Sequence, residues 1–230
     1  MKILSCETSL GKVSVCYFNT VTDELNYLED ENFSTQAENL FQLIEKSINN
    51  DLKNLDNIDY FSSSIGPGSF TGIRIGMTAL QSLAYAKNKK FIGITTLEAL
   101  AHKAFASFNS DNITALINAK RGELYFQHFN RNNFFSPQTA GTIKNSEVAN
   151  LQTSQNNNPT LASNCFELLT EKNDISALDI INQSLHPNAD DIARLTYKII
   201  EQGISLENRT NPIYIRKPDA KKSEKLKKFN

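Results

Sequence analysis

The stretch Gly66-Pro67-Gly68-Ser69-Phe70-Thr71-Gly72-Ile73-Arg74-Ile75-Gly76 constrains the fold of this chain more than any other. It holds four of the nine glycines in the sequence, so backbone freedom is concentrated in one place. A strand-like run over 58–65 leads into it and a long helical pattern leads out. Glycine is used where a chain turns tightly or approaches something closely. A strand, a glycine turn and a helix N-terminus leave backbone N–H groups facing outward, a geometry that cradles an anion or docks a partner. No Gly-Lys-Ser/Thr follows, which excludes a Walker A loop. The third glycine falls one residue too late for the dinucleotide fingerprint. Ser69 suits the helix N-cap.

The flanking pattern divides the chain in two. Runs at 2–7, 12–18 and 24–29 read as three strands in series, with Ser9-Leu10-Gly11 as a turn, and predict an antiparallel meander. Ala37, Leu40, Phe41, Ile44 and Ile48 then fall on one helical face over 35–49, with Thr35 and Glu38 as a capping box. The helix over 69–87 carries Ile73, Met77, Leu80 and Ala84 on one face. Ile75, Ala79, Ser82 and Ala86 lie on another, so its second side is expected to meet another domain or another chain. A strand at 91–94 and a helix capped by Thr95 and Glu98 complete the order β-β-β-α-β-α-β-α, that of a ribonuclease-H-like half domain. Past Asn109 the pattern begins again: strands at 113–119 and 123–130 joined by Lys120-Arg121-Gly122, a strand at 159–163, and helices at 166–170 and 187–202. Residues 134–160 give no assignment. The expected organisation is an N-terminal lobe (1–108), a degraded C-terminal lobe (109–216) and a basic tail (217–230).

Composition excludes more than it identifies. A formal net charge of −1 over 230 residues gives no general attraction to nucleic acid or membrane. Cys6, Cys16 and Cys165 form no CxxC pair and read as reduced, packed thiols. Ile3-Leu4-Ser5-Cys6 is not a lipoprotein signal, because Glu7 follows and no apolar segment precedes it. No apolar run approaches the roughly 18 residues of a membrane span, so a cytoplasmic protein is expected. From Arg216 to Asn230 there are seven basic residues against two acidic. They read as a solvated end, with an electrostatic contact to RNA or an acidic partner as the functional alternative.

The run Ile65 to Gly76 resembles the signature of the TsaB (YeaZ) family, which belongs to the machinery that makes threonylcarbamoyladenosine in tRNA. Other segments agree in order and spacing. Ile3-Leu4-Ser5-Cys6-Glu7-Thr8-Ser9 is similar to the family's first strand, and Gly93-Ile94-Thr95-Thr96-Leu97-Glu98-Ala99-Leu100 to its strand-to-helix junction. Arg121-Gly122-Glu123-Leu124-Tyr125 is similar to its mid-chain hairpin. His186-Pro187 and Pro212-Ile213-Tyr214-Ile215-Arg216 are similar to its C-terminal landmarks. The resemblance implies an α/β fold of the actin-like, sugar-kinase-like (ASKHA) type, duplicated into two lobes. It implies a non-catalytic, activating subunit that pairs with the catalytic TsaD, with the ATPase TsaE joining the complex and tRNA contacted through it. Homodimers through the same helices are also a feature of the family. Glu7 stands where the family usually has Asp. Asn118 stands where an Asp is common. Leu161-Ala162-Ser163-Asn164-Cys165-Phe166 replaces an expected glycine-rich turn.

These departures weaken an intrinsic active site. An ASKHA ATPase needs acidic residues on two phosphate-facing hairpins and glycines that admit the adenosine. Glu7 serves the first hairpin, but the second offers neutral Asn118 with Lys120 and Arg121, and the glycines are missing. A two-metal nuclease needs clustered carboxylates, and Glu7 stands alone. It is expected to bond to a nearby backbone or hydroxyl group. His102, His128 and His186 are scattered, form no HExxH and read as exposed or capping. No base accompanies Ser69. Neither catalytic residues nor a metal site nor a cofactor of its own is expected, and a nucleotide at the boundary with the partner complex stays open. An ATPase or kinase with weak activity is the alternative. Arg74 sits one turn into a helix, where a cation opposes the dipole. A salt bridge within the fold and a contact to a partner or anion both account for it. The expected partner surface comprises Leu40, Ile44, Ser69, Phe70, Thr71, Arg74, Met77 and Leu80, beside the glycine loop of Gly66, Gly68, Gly72 and Gly76.

Overall fold

Five strands form the first sheet: β1 (Lys2–Glu7), β2 (Val13–Asn19), β3 (Glu24–Asp30), β4 (Tyr60–Ser64) and β5 (Lys90–Ile94), in the order β3-β2-β1-β4-β5. A computed structural model describes residues 1–30, 36–153, 159–172 and 179–216. The expected cap Thr35 and the tail 217–230 lie outside the described residues. Strands β1, β2 and β3 pair antiparallel, and β1, β4 and β5 pair parallel. The meander followed by crossovers is thus the arrangement read from the sequence.

The second sheet repeats the plan in shorter form. It contains β6 (Asn112–Lys120), β7 (Glu123–Asn130), β8 (Gly141–Lys144) and β9 (Thr160–Ser163), ordered β8-β7-β6-β9. Again three strands run antiparallel and one lies parallel to the first. Where a fifth strand would stand there is a single parallel bridge, Leu161 to Ile180. Two sheets with one topology make this an ASKHA-like, two-lobed α/β fold. The unassigned stretch after 134 supplies β8 and a short helix, α4 (Ala149–Thr153). Neither is long enough for a period to emerge from its sequence. A further helix, α5 (Phe166–Lys172), follows β9.

Helices α1 (Gln36–Ser47) and α2 (Phe70–Ala86) cover one face of the first sheet. Leu4, Cys6, Val13 and Val15 point to that face and meet Leu40, Ile44, Leu80 and Ala84. Strand alternation sends Ile3, Cys16 and Phe18 to the opposite face, where they meet Ala189 and Ala193 of α6 (Ala189–Glu201). Meanwhile α3 (Thr96–Ser107) lays Leu97, Leu100, Ala101 and Ala104 on Ile113, Ala115 and Ile117 of the second sheet. Its other side meets α6 through Ala99, Ile192 and Leu195. The halves therefore exchange helices: the first supplies α3 to the second sheet and the second supplies α6 to the first. Each buried Leu or Ile in these contacts contributes about 1.5–3 kcal/mol relative to exposure.

The buried carboxylate of Glu98 is paired. Arg209 donates twice to Glu98, at 2.9 Å and 3.1 Å, across 111 residues of sequence. Glu98 also accepts from the backbone N–H of Thr95, closing the predicted capping box on α3. Among the described residues, no helix is long and apolar enough to cross a membrane.

Candidate functional site

The glycines let α2 press against the turn that leaves β1. A Cβ built on Gly72 would lie 2.0 Å from the carbonyl oxygen of Thr8, and one on Gly68 2.5 Å from that of Ser9. A Cβ on Gly76 would meet the Thr8 hydroxyl at 2.4 Å. The close approach is held by two hydrogen bonds. Thr8 Oγ1 donates to the Gly72 carbonyl at 2.7 Å, and the Ser69 N–H donates to the Ser9 carbonyl at 2.7 Å. Ser69 caps the helix as expected, accepting from the Gly72 N–H at 3.2 Å. Gly66, at φ +101°, turns the chain beneath the carbonyl of Ile213. The loop thus holds α2 against its own lobe.

The expected partner surface divides in two. Leu40, Ile44 and Leu80 are between 0% and 2% exposed and belong to the core under α1 and α2. Met77 is also buried, against Ile65 and Ile73. These four hold the helices on the sheet and are not available to a partner, which corrects the sequence-based assignment. Helical periodicity identifies an apolar face, and here the lobe's own sheet covers it. Ser69, Phe70, Thr71 and Arg74 remain outside. Phe70 is 53% exposed and Phe41, from α1, 56%. Together with Thr71, Arg74, Ile75 and Thr78 they line an open groove of about 560 Å³. The second face of α2, which the sequence left for another domain or chain, is therefore the groove wall.

Arg74 does not form the salt bridge within the fold that was one of the two contacts expected of it. Among the described residues no carboxylate pairs with it. Its guanidinium lies 3.8 Å from the centre of the Phe70 ring, and its Nε donates to the Tyr214 hydroxyl at 3.2 Å. Tyr214 packs on Phe70 with ring centres 5.4 Å apart. The strand-like strap bearing Tyr214 is tied down by Ile213 N–H to Ile65 carbonyl and Gly93 N–H to Arg209 carbonyl, both 2.7 Å. Sequence reasoning had not joined Tyr214 to this surface. The signal was Arg74 itself, a cation set against the helix dipole.

A second depression, of about 460 Å³, lies between the lobes. Ser9, Gly11, Gly68, Asn118, Lys120 and His186 line it. Glu7 lies beneath this surface, 4% exposed. Its Oε1 accepts from the N–H and hydroxyl of Ser9, both at 2.6 Å, the backbone and hydroxyl bonds read from the sequence. Its Oε2 and the Ser64 hydroxyl are buried without a hydrogen-bond partner. Burial pushes the Glu7 carboxyl above its ordinary range, against the bonds from Ser9. Asn118 Oδ1 accepts from the Lys120 N–H at 2.8 Å and so serves its own turn. The donor set does not fit a magnesium-bound nucleotide, which needs facing carboxylates. Among the described residues, no group of three His, Cys, Asp or Glu side chains is placed to hold a metal. His102, expected exposed or capping, is 9% exposed.

A family model described as TsaD, tRNA N6-adenosine threonylcarbamoyltransferase, matches residues 34–177. The chain is 28% identical over 194 residues to the tRNA threonylcarbamoyladenosine biosynthesis protein TsaB of Buchnera aphidicola subsp. Schizaphis graminum, covering 83% of this chain and 90% of that protein. Against TsaB of Buchnera aphidicola subsp. Acyrthosiphon pisum the identity is 26% over 218 residues, covering 92% and 97%. In fold the chain is similar to YeaZ from Pseudomonas aeruginosa, with a TM-score of 0.74 at 19% identity over 93% of this chain and 99% of that one.

Proposed function

Because the chain belongs to the TsaB (YeaZ) family and so to the making of threonylcarbamoyladenosine in tRNA, we propose that it acts there as a non-catalytic, activating subunit. Its partner is a TsaD-type catalytic subunit, and the tRNAs are those that read codons beginning with A. One observation carries the pairing: the α2 groove, where Phe41, Phe70 and Ile75 offer apolar area beside the Arg74 guanidinium. Exposed aromatic side chains next to an arginine are the composition of interface anchors. An obligate pairing of this kind buries on the order of 2,000 Å². Binding acts by preferring the active arrangement of the partner over the inactive one. A TsaE-type ATPase joins the complex, and a nucleotide binds at the boundary between subunits. The free chain pairs with itself through the same groove, so homodimer and heterodimer exclude each other. The setting is the cytoplasm.

The test is size-exclusion chromatography with light scattering of the chain mixed with the TsaD of its host. A stable heterodimer is expected. The double variant Phe41→Asp/Phe70→Asp should abolish it while lowering the melting temperature by only a few degrees, since both rings are outside the core and only the Phe70 contacts with Arg74 and Tyr214 are lost. Undiminished pairing by that variant would sink the proposed surface. A substitution at Leu80 would not serve, because that side chain is fully buried.

A further inference from the structure

Across the first sheet from α2, the helices α3 and α6 and the turn after β7 border an open cavity of about 330 Å³. That volume lies within the range of small-molecule pockets, about 300–1,000 Å³. One wall is aromatic and braced. Phe134 stacks on Phe129 with ring centres 5.3 Å apart and meets Phe105 edge-on at 6.1 Å. Leu195 and Ile204 extend the apolar lining.

Two cations also line the cavity. Arg131 lies 4.8 Å from the Phe105 ring centre, its Nε and Nη2 donating to the carbonyls of Ser110 and Phe108 at 3.0 Å. Those bonds fix the guanidinium and leave Nη1 free among the described residues. Lys198 Nζ lies 3.1 Å from His102 Nε2. An ammonium can only donate, so Nε2 accepts and the imidazole proton sits on Nδ1. That nitrogen is buried, without a hydrogen bond, 3.8 Å from Asp191.

No carboxylate among the described residues pairs with Arg131 or Lys198. The acids nearby are engaged elsewhere. Asp191 takes Lys103 at 3.1 Å, Asp190 takes Arg194 at 2.7 Å, and Glu201 accepts from the Tyr197 hydroxyl at 2.9 Å. Burial, then the charges of Arg194 and Arg131, hold the Lys198 ammonium below its ordinary range, against the pull of Glu201. Two exposed cations border one cavity without an ion-paired carboxylate among the described residues, beside the partly exposed ring of Phe134. An anion there gains charge-assisted hydrogen bonds, and a planar group gains ring contacts.

We propose that this cavity binds a small anion carried on a planar ring, its phosphate or carboxylate held by Lys198 and Arg131 and its ring by Phe134. The site lies away from the α2 groove and does not depend on the pairing proposed there.

The test is a nuclear magnetic resonance titration of the isotope-labelled full chain. The probes are adenosine monophosphate, benzoate, inorganic phosphate and adenosine. Amide shifts at Arg131, Phe134 and Lys198 are expected with a ring-bearing anion, adenosine monophosphate reporting a phosphate preference and benzoate a carboxylate preference. Lys198→Gln should weaken that binding at least about tenfold, the worth of one charge-assisted hydrogen bond. Its melting temperature shows whether the fold is kept, and Arg131→Gln repeats the measurement from the other cation. No shift at the cavity with any probe overturns the proposal, as does unchanged affinity in both folded variants. Inorganic phosphate or adenosine binding as tightly as adenosine monophosphate would also overturn it, by removing the role of the ring or of the charge.

Discussion

Replacing Gly72 by Ala tests whether the glycine motif exists for close packing of the chain on itself. The new Cβ would stand 2.0 Å from the Thr8 carbonyl oxygen, a backbone atom that cannot swing aside. To restore an ordinary contact, α2 must retreat by roughly 1 Å. That retreat breaks the bonds from Thr8 Oγ1 to the Gly72 carbonyl and from the Ser69 N–H to the Ser9 carbonyl, both 2.7 Å long. Each contributes about 1 kcal/mol. Overpacking of the surrounding core adds about 1–3 kcal/mol, while alanine's better helix propensity returns about 1 kcal/mol. The net loss is about 2–4 kcal/mol, which for a chain of this size lowers the melting temperature by roughly 5–15 °C. Urea denaturation of wild type and variant measures it. The control is Gly122→Ala, at φ +77° with nothing within 4 Å of the new Cβ, where only backbone strain applies. That strain costs about 1 kcal/mol. If Gly72→Ala is no less stable than Gly122→Ala, the packing account of the motif is wrong.

The remaining predictions concern charge. Because the folded state raises the Glu7 carboxyl, it holds that proton more tightly than the unfolded chain does. The stability this contributes is present below the ordinary carboxylate range and lost as pH rises through the raised value. Glu7→Gln should therefore raise the melting temperature at neutral pH and leave it unchanged near about pH 3; an equal shift at both, followed by calorimetry, would contradict this. Arg209→Met leaves Glu98 buried without its guanidinium and should cost about 3–5 kcal/mol in urea unfolding. Adding Glu98→Gln should recover part of that loss, and strict additivity of the two substitutions would show that the pair is not coupled.

The order of elements was legible in the sequence because each long element carries its own period or cap. The capping box of Thr95 and Glu98, the N-cap Ser69, the first meander and the hairpin joined by Lys120-Arg121-Gly122 all reappear in the fold. The glycine run was legible too, because glycine at that density implies close approach whatever it approaches. Short pieces such as β8 were not, having too few residues to show a period.

What the sequence could not carry is the identity of contacting partners. Periodicity made Leu40, Ile44, Met77 and Leu80 an apolar face, but only the tertiary structure put the lobe's own sheet against it. Left outside are Phe41, Phe70 and Arg74. The exchange of α3 and α6 between lobes, the pairing of Glu98 with Arg209 and the meeting of Arg74 with Tyr214 join residues about a hundred positions apart. A local pattern records which surface must leave water. The hydrophobic effect that drives it there is without direction, so which surface receives it is decided by the packing of the whole chain.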